Sequence, residues 1–433
     1  MLTNKFDVLV IGGGPAGTTF GSLMKMRGWN VALLEKDRHP RFHIGESLLP
    51  MNLPILERLG VLDRVKAIGV PKLGADFSVG NSGAPHQTFH FREALGDSPP
   101  HAFEVRRSEF DHLLYENSRQ LGVHVREGMC VTAVERDSTG QFLVEARDES
   151  GALHRWETRF LLDASGRDTF FAKANGWKHR NPRHASAAVF SHFEGVQRRP
   201  GEDEGNISIY WFEHGWIWMI PLRDGVMSIG AVSLPDHLKT RRGSLDEFLL
   251  DTLHGLQEIK ERMKGAELLM PAQATGNYTY LSSQMCGPGY LIAGDAFAFI
   301  DPVFSSGVYL AMDSAERGTR VAEAWLQGSR YTFWQACRQY RKETRRAIST
   351  FSWFIYRFTS PAMSFLMSNP RNVLKVVQAV ISMLAGDVYA NPEVRRRLVV
   401  FKTIYSISWM LRWRESLKFR KLRLASIRAE NRA

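Results

Sequence analysis

The stretch GVPKLGADF, residues 69–77, places one lysine, Lys72, in a run of small and apolar residues. A lysine is a compact donor on a flexible stem, and its pKa shifts readily on burial. Taken alone, it reads as a solvated surface charge. A second set, Gly12-x-Gly14-x-x-Gly17, offers different chemistry. Gly12 permits a tight turn, Gly14 admits a pyrophosphate close to the backbone, and Gly17 lets a helix lie near the preceding strand. Free N–H groups at the start of that helix favour phosphate. Glu35 follows about twenty residues on, where a carboxylate accepts from ribose hydroxyls. Together these residues point to an ADP-containing dinucleotide.

The elements that must position these groups are legible on either side. Val8 to Ile11 is a continuous apolar run, as in a strand buried on both faces. A helical pattern runs to about Arg27 and is stopped by Gly28, and Val31 to Leu34 is a second strand. Far downstream, GYLIAGDAFAFIDPVFSSGVYLAMDSA puts a short apolar strand before Gly294-Asp295-Ala296. Pro302 and Gly307 follow, then a helix. Phe160 to Leu162 is a strand that leads into Asp163-Ala164-Ser165-Gly166-Arg167. Between residues 182 and 235, strand-like runs alternate with glycine-containing turns. In one of them Trp216, Trp218 and Ile220 share parity and therefore one face, and Pro221 ends the strand. Helical patterns dominate from about residue 309, with breakers at Pro361, Pro370 and Gly386.

Composition narrows the function classes. A chain of 433 residues with 44% hydrophobic content can bury a large core and more than one layer. The three cysteines, Cys130, Cys286 and Cys337, have no paired spacing. That argues against a disulfide framework or a metal site and fits a reducing cytoplasm. A strand pattern begins directly after Met1-Leu2-Thr3-Asn4, so no export signal is expected. No uncharged apolar run approaches the ~18 residues of a spanning helix. The net charge of +11 is uneven: residues 393–433 hold twelve Lys and Arg against three Glu, a net of +9. Such a tail could meet nucleic acid, an anionic membrane surface or an acidic protein. Charge alone names none of them, and a solvated face on the last helix is the plain reading.

Several segments then resemble one superfamily, the aromatic-hydroxylase-like FAD enzymes. Gly294-Asp295-Ala296 with Pro302 and Gly307 resembles its second flavin motif, in which the aspartate meets the ribityl chain. Asp163 to Arg167 resembles its DG motif, and VRRSEFDHLL resembles the segment whose arginine, here Arg107, lies near the cofactor phosphates. Trp216-Ile217-Trp218-Met219-Ile220-Pro221 matches the W-x-W-x-I-P signature of the flavin-dependent halogenases. The likeness spans essentially the whole chain, including Gly45-Glu46-Ser47 after the second strand. It implies an α/β fold in which residues 1–180 and 270–320 form a Rossmann-like FAD-binding domain. Residues 181–269, with parts of 70–105, would form an antiparallel-sheet substrate domain. Residues 321–433 would form a helical C-terminal region with the basic tail.

The resemblance also assigns roles. FAD would be held by Gly12, Gly14, Ala16, Gly17, Glu35, Lys36, Glu46, Ser47, Arg107, Val131, Asp163, Gly294, Asp295, Pro302 and Gly307. Ser306 and Gly307 would present backbone N–H groups to chloride or bromide at a helix start, where donors and dipole favour an anion. Trp216, Trp218, Ile220, Pro221 and Phe304 would line a substrate tunnel that excludes water. Lys72 follows the Gly-Glu-Ser segment by some twenty-five residues, as the family's catalytic lysine does. It would hydrogen-bond hypohalous acid or become a haloamine, and so deliver electrophilic halogen to one ring carbon. Tryptophan-type members carry a glutamate three residues before Gly307; here that residue is Phe304, which implies the phenol- and pyrrole-type branch. Some members of that branch act on substrates tethered to acidic carrier proteins, which the +9 tail would suit. No nucleic-acid partner is expected, and peripheral membrane contact by the tail stays open. No second glycine-rich βαβ unit is present, so reduced flavin would come from a separate reductase or from transient NAD(P)H docking. Other readings are an FAD-dependent aromatic hydroxylase, a geranylgeranyl-reductase-like flavoenzyme, and a non-enzymatic flavoprotein docking module.

Overall fold

The computed structural model describes residues 4–80, 86–181, 184–276, 279–389 and 391–430. Met1 to Thr3 and Arg432 of the tail lie outside the described residues, as do the side chains of Arg428 and Glu430.

Apolar continuity builds the first sheet. Strand Asn4–Ile11 pairs in parallel with Val31–Leu34 on one side and with Leu153–Asp163 on the other. The parallel array extends to His124–Arg126 beyond the former and Tyr290–Ile292 beyond the latter. Val8, Leu9, Val10, Leu161 and Leu162 are fully buried, because helices cover this sheet. Helix Pro15–Met26 packs against both Arg107–Gln120 and Ser306–Leu326. An antiparallel pair, Cys130–Arg136 and Phe142–Arg147, is added along the N-terminal half of Leu153–Asp163.

The second sheet obeys a period of two. Its strands run in the order Ala187–Glu194, Met227–Ser233, Gly215–Pro221, Ile207–Phe212, Gly74–Val79 and Gln87–His90. All pairings are antiparallel except that of Ile207–Phe212 with Gly74–Val79. Trp216, Trp218 and Ile220 face the core shared with the C-terminal helices, as their parity predicts. Ile217 and Met219 face the opposite core, beneath Leu249 and Leu253 of helix Leu245–His254. Lys72 lies outside this sheet, on a two-stranded ribbon of Val70–Lys72 with Ala102–Glu104.

The C-terminal region is helical, as the pattern predicts. Pro361 stands at the first position of helix Pro361–Ser368, where its missing N–H costs nothing, and the Ser360 hydroxyl caps Met363 N–H. Gly386, with φ +98°, closes helix Val376–Ala385.

Gly230 is a feature the sequence pattern does not reveal. It lies opposite Trp218 on one side and Phe190 on the other. A Cβ there would stand 2.4 Å from the Trp218 ring and 2.6 Å from Phe190 Cβ. The indole therefore lies across a glycine. Gly230→Ala is expected to displace Trp218 and cost ~1–3 kcal/mol, read by thermal unfolding and tryptophan fluorescence.

Candidate active site

Two of the glycines leave no room for a side chain. A Cβ on Gly12, whose φ is +103°, would lie 2.4 Å from the Ala164 carbonyl oxygen. A Cβ on Gly17 would lie 1.9 Å from the Gly12 carbonyl oxygen. Gly14 is open by contrast, its nearest neighbour being the Arg41 guanidinium, 3.7 Å from where a Cβ would stand. The turn thus packs inward on two glycines and presents backbone outward at the third. The Glu35 carboxylate accepts from Gly13 N–H at 2.6 Å and from Asp37 N–H at 2.9 Å, which braces the turn.

The turn opens into a cavity of about 430 Å³. Gly12, Gly14, Ala16, Glu35, Lys36, Glu46, Ser47, Arg107, Val131, Asp295, Pro302 and Gly307 all border it. So do Trp216, Trp218 and Ile220. The structure therefore brings the glycine turn, the downstream aspartate loop and the tryptophan face onto one space, although they are far apart in sequence.

The remaining residues of the expected set stand behind the wall. Gly17 lies under the turn. The Asp163 carboxylate accepts from Ser165 N–H at 2.9 Å and Phe171 N–H at 2.8 Å, so it shapes the loop that borders the cavity. Gly294, at φ +58°, packs against Ala16 and Ala311 and lets Asp295 reach the wall. Pro221 ends its strand away from the cavity. Phe304 is 3% exposed and sits edge-on to Phe354 and Phe358, in the core and not along a tunnel. Ser306 is buried and its Oγ has no partner among the described residues, while its neighbours Ser305 and Gly307 border the cavity. A Cβ on Gly307 would meet nothing within 4 Å. This open backbone at the start of helix Ser306–Leu326 has the donor chemistry an anion needs.

Lys72 is also one layer back. It is 1% exposed, and its Nζ donates to Ser47 Oγ at 2.8 Å and to the Leu48 carbonyl at 3.1 Å. Ser47 stands between it and the cavity. The Phe91 ring lies 5.4 Å from Nζ. Burial pushes the amine below its ordinary pKa, and Glu104 opposes that shift.

Arg107 is engaged within the protein. Its Nε and Nη2 grip both oxygens of Asp111 at 2.7 and 2.9 Å, and Nη1 donates to the Ile44 and Gly45 carbonyls. It therefore ties helix Arg107–Gln120 to the Gly-Glu-Ser segment while bordering the cavity. Burial pushes the Asp295 carboxyl up to about 6, against the pull of Arg107 and Arg167. His43, which also borders the cavity, falls to about 4 through burial and the Arg107 charge.

Three groups of this site escape the motif reading. Arg41 lies 3.8 Å from Glu35 and 3.4 Å from Asp111, beside Gly14, where a cation would meet a phosphate. The basic run Arg38 to His43 after the second strand is the signal that could have found it. His192, on the second sheet, meets Glu46 of the Gly-Glu-Ser loop at 2.9 Å, and no local pattern links those positions. Glu104 is a lone acid in the apolar strand HAFEV, a mismatch visible in the sequence.

These residues fit a flavin dinucleotide: two inward glycines, an outward backbone edge, a helix start and a cation at the phosphate end. Removing Arg107 would leave Asp111 a buried, partly uncompensated charge. Arg107→Ala is expected to cost ~3–5 kcal/mol of stability and to weaken FAD binding, read by chemical unfolding and flavin fluorescence titration.

The comparisons with known proteins agree with this geometry. The FAD binding domain family matches residues 5–332. A 1H-pyrrole-2-carbonyl-[peptidyl-carrier protein] chlorinase of Pseudomonas fluorescens is 28% identical, over 90% of this chain and 91% of its own. A flavin-dependent halogenase of Armillaria mellea is 33% identical, over 80% of this chain and 72% of its own. A flavoprotein/dehydrogenase from Cytophaga hutchinsonii has the same fold, with a TM-score of 0.85 and 30% identity over 94% of this chain and 99% of its own. With FAD as cofactor and halide as co-substrate, the chain belongs to the flavin-dependent halogenases.

Proposed function

We propose that the protein chlorinates or brominates a phenol or pyrrole, with Lys72 as the residue that hands on the halogen. The observation that carries this reading is the single cavity shared by the flavin cradle and the tryptophan face, with Lys72 one layer behind its wall and hydrogen-bonded to the bordering Ser47. Reduced FAD and oxygen supply the oxidising power that turns halide into hypohalous acid. The Gly12 turn, Arg41 and Asp295 would hold the cofactor. The backbone N–H groups of Ser306 and Gly307 would hold the halide at the start of helix Ser306–Leu326. Trp216, Trp218 and Ile220 would keep water out and seat the flat ring of the substrate. From behind Ser47, the Lys72 ammonium would polarise hypohalous acid toward that ring through the serine hydroxyl it donates to.

The position three before Gly307 bears on the substrate. Phe304 is an apolar ring in the core, so no carboxylate is present there to draw a proton from an indole. A phenol or pyrrole needs less help, because its heteroatom already activates the neighbouring carbons. The Pseudomonas relative acts on a pyrrole carried by a peptidyl-carrier protein, and its match covers nine-tenths of both chains. We extend a tethered substrate to this chain. The basic helices Pro392–Leu411 and Trp413–Glu430 would receive an acidic carrier through contacts that weaken as salt rises. A separate reductase would supply reduced flavin, and a cytoplasmic setting suits that supply. Among the described residues, no helix is long and apolar enough to cross a membrane.

A second reading, a flavin-dependent dehydrogenase or hydroxylase, rests on the likeness to the Cytophaga flavoprotein/dehydrogenase. One experiment separates the two. Protein, FAD, NADH and a flavin reductase are mixed with bromide or chloride and a panel of phenols, pyrroles and pyrrolyl carrier thioesters, and products are read by mass spectrometry. A halogen isotope pattern that is lost in Lys72→Ala, with FAD still bound, is the expected result. Substrate oxidation or oxygen insertion that ignores both halide and Lys72 would replace this reading with the second.

A further inference from the structure

Glu104 is wholly buried on the strand paired with that of Lys72. Neither carboxylate oxygen meets a hydrogen-bond donor at bonding geometry among the described residues. Oε1 lies 4.0 Å from Lys72 Nζ, too far for a made hydrogen bond and close enough for strong charge coupling in a dry interior. Nζ spends two of its three protons on neutral acceptors, Ser47 Oγ and the Leu48 carbonyl. Glu104 is the anion that faces the amine.

The backbone locks this arrangement from three sides. Lys72 and Glu104 sit on antiparallel partner strands. Ser47 bridges to Glu104 through an isolated backbone pairing. Val105 N–H donates to the Glu46 carbonyl at 2.7 Å, and Leu48 N–H to the Phe103 carbonyl at 3.0 Å. Neither charged group can swing to solvent without breaking these contacts.

We propose that Glu104 is a positioning residue for Lys72, the buried counter-charge that keeps its amine protonated and aimed at the wall of the cavity. This rests on the reading of Lys72 given above. A lone lysine in so dry a site would shed its proton, and a lone carboxylate would take one up. Burial pushes the Glu104 carboxyl up to about 7, with Lys72 holding it down and the Glu46 charge pushing it further up. Each charge therefore stabilises the other, the carboxylate by opposing the fall of the amine and the ammonium by opposing the rise of the carboxyl. Removing the carboxylate leaves the amine only Ser47 and Leu48, both uncharged, so its pKa must fall.

The test is Glu104→Gln, which keeps the shape and removes the charge. The expected result is unchanged FAD binding and substrate KM, with the alkaline limb of kcat moved to lower pH by about one unit and a roughly tenfold loss of kcat above it. Glu104→Asp, which keeps the charge, should restore the limb. A wild-type limb in Glu104→Gln, where Lys72→Ala abolishes halogenation, overturns the role of Glu104 and leaves that of Lys72 standing. Halogenation that survives Lys72→Ala overturns both. Should Glu104→Gln lose FAD, thermal unfolding of Lys72→Met, Glu104→Leu and the double variant decides. A double variant more stable than either single supports a coupled pair, and one no better than the weaker single overturns it.

Discussion

A hydrogen atom, and nothing larger, fits between Gly17 and the carbonyl oxygen of Gly12. That contact sets how closely the first helix approaches the first strand, and the rest of the molecule is hung from it. Because Pro15–Met26 sits so low, helices Arg107–Gln120 and Ser306–Leu326 can pack beside it. Each brings a working group to the same place: Arg107 at the start of one and Gly307 at the start of the other. The same closeness turns the Gly14 backbone outward and brings Glu35 within 2.6 Å of Gly13 N–H. A methyl at position 17 would push all three helix starts off the cavity at once.

A second constraint is the dryness of the ribbon that holds Lys72. In water a lysine is almost always charged, and its charge says little about chemistry. Inside, protonation becomes conditional on what is nearby. Ser47 carries that condition to the wall, since it borders the cavity and accepts the lysine's hydrogen bond. The Gly-Glu-Ser segment thus does two jobs. Glu46 reaches His192 in the second sheet, and Ser47 reaches the lysine, so one short loop joins the cavity wall to the second sheet and to the Lys72 ribbon.

Much of this was legible in the residues themselves. Strand Val31–Leu34 is where its apolar run places it, strand Asn4–Ile11 contains the run Val8 to Ile11 and starts four residues earlier, and the parity of Trp216, Trp218 and Ile220 names the correct face. Such signals are local, since they depend on spacing along one element. What a local signal cannot give is depth. Asp163, Phe304, Pro221 and Lys72 occupy their expected places in the chain, yet none borders the cavity: Ser47 stands in front of Lys72, and Phe304 packs among Phe354 and Phe358. Arg41 and His192 escaped for a related reason. Their partners, Asp111 and Glu46, lie 70 and 146 residues away. Glu104 was visible as a polar residue in an apolar strand, but its meaning needed the partner strand.

The two sheets share no strand. The tryptophan face is shaped by Phe190, Trp218 and the gap at Gly230, all on the second sheet, and none of these residues braces the glycine turn. With the tryptophan face as the proposed substrate template, reagent and template would stand on separate scaffolds, so that one ring or one missing methyl on the second sheet would change the aromatic admitted without touching the glycine turn.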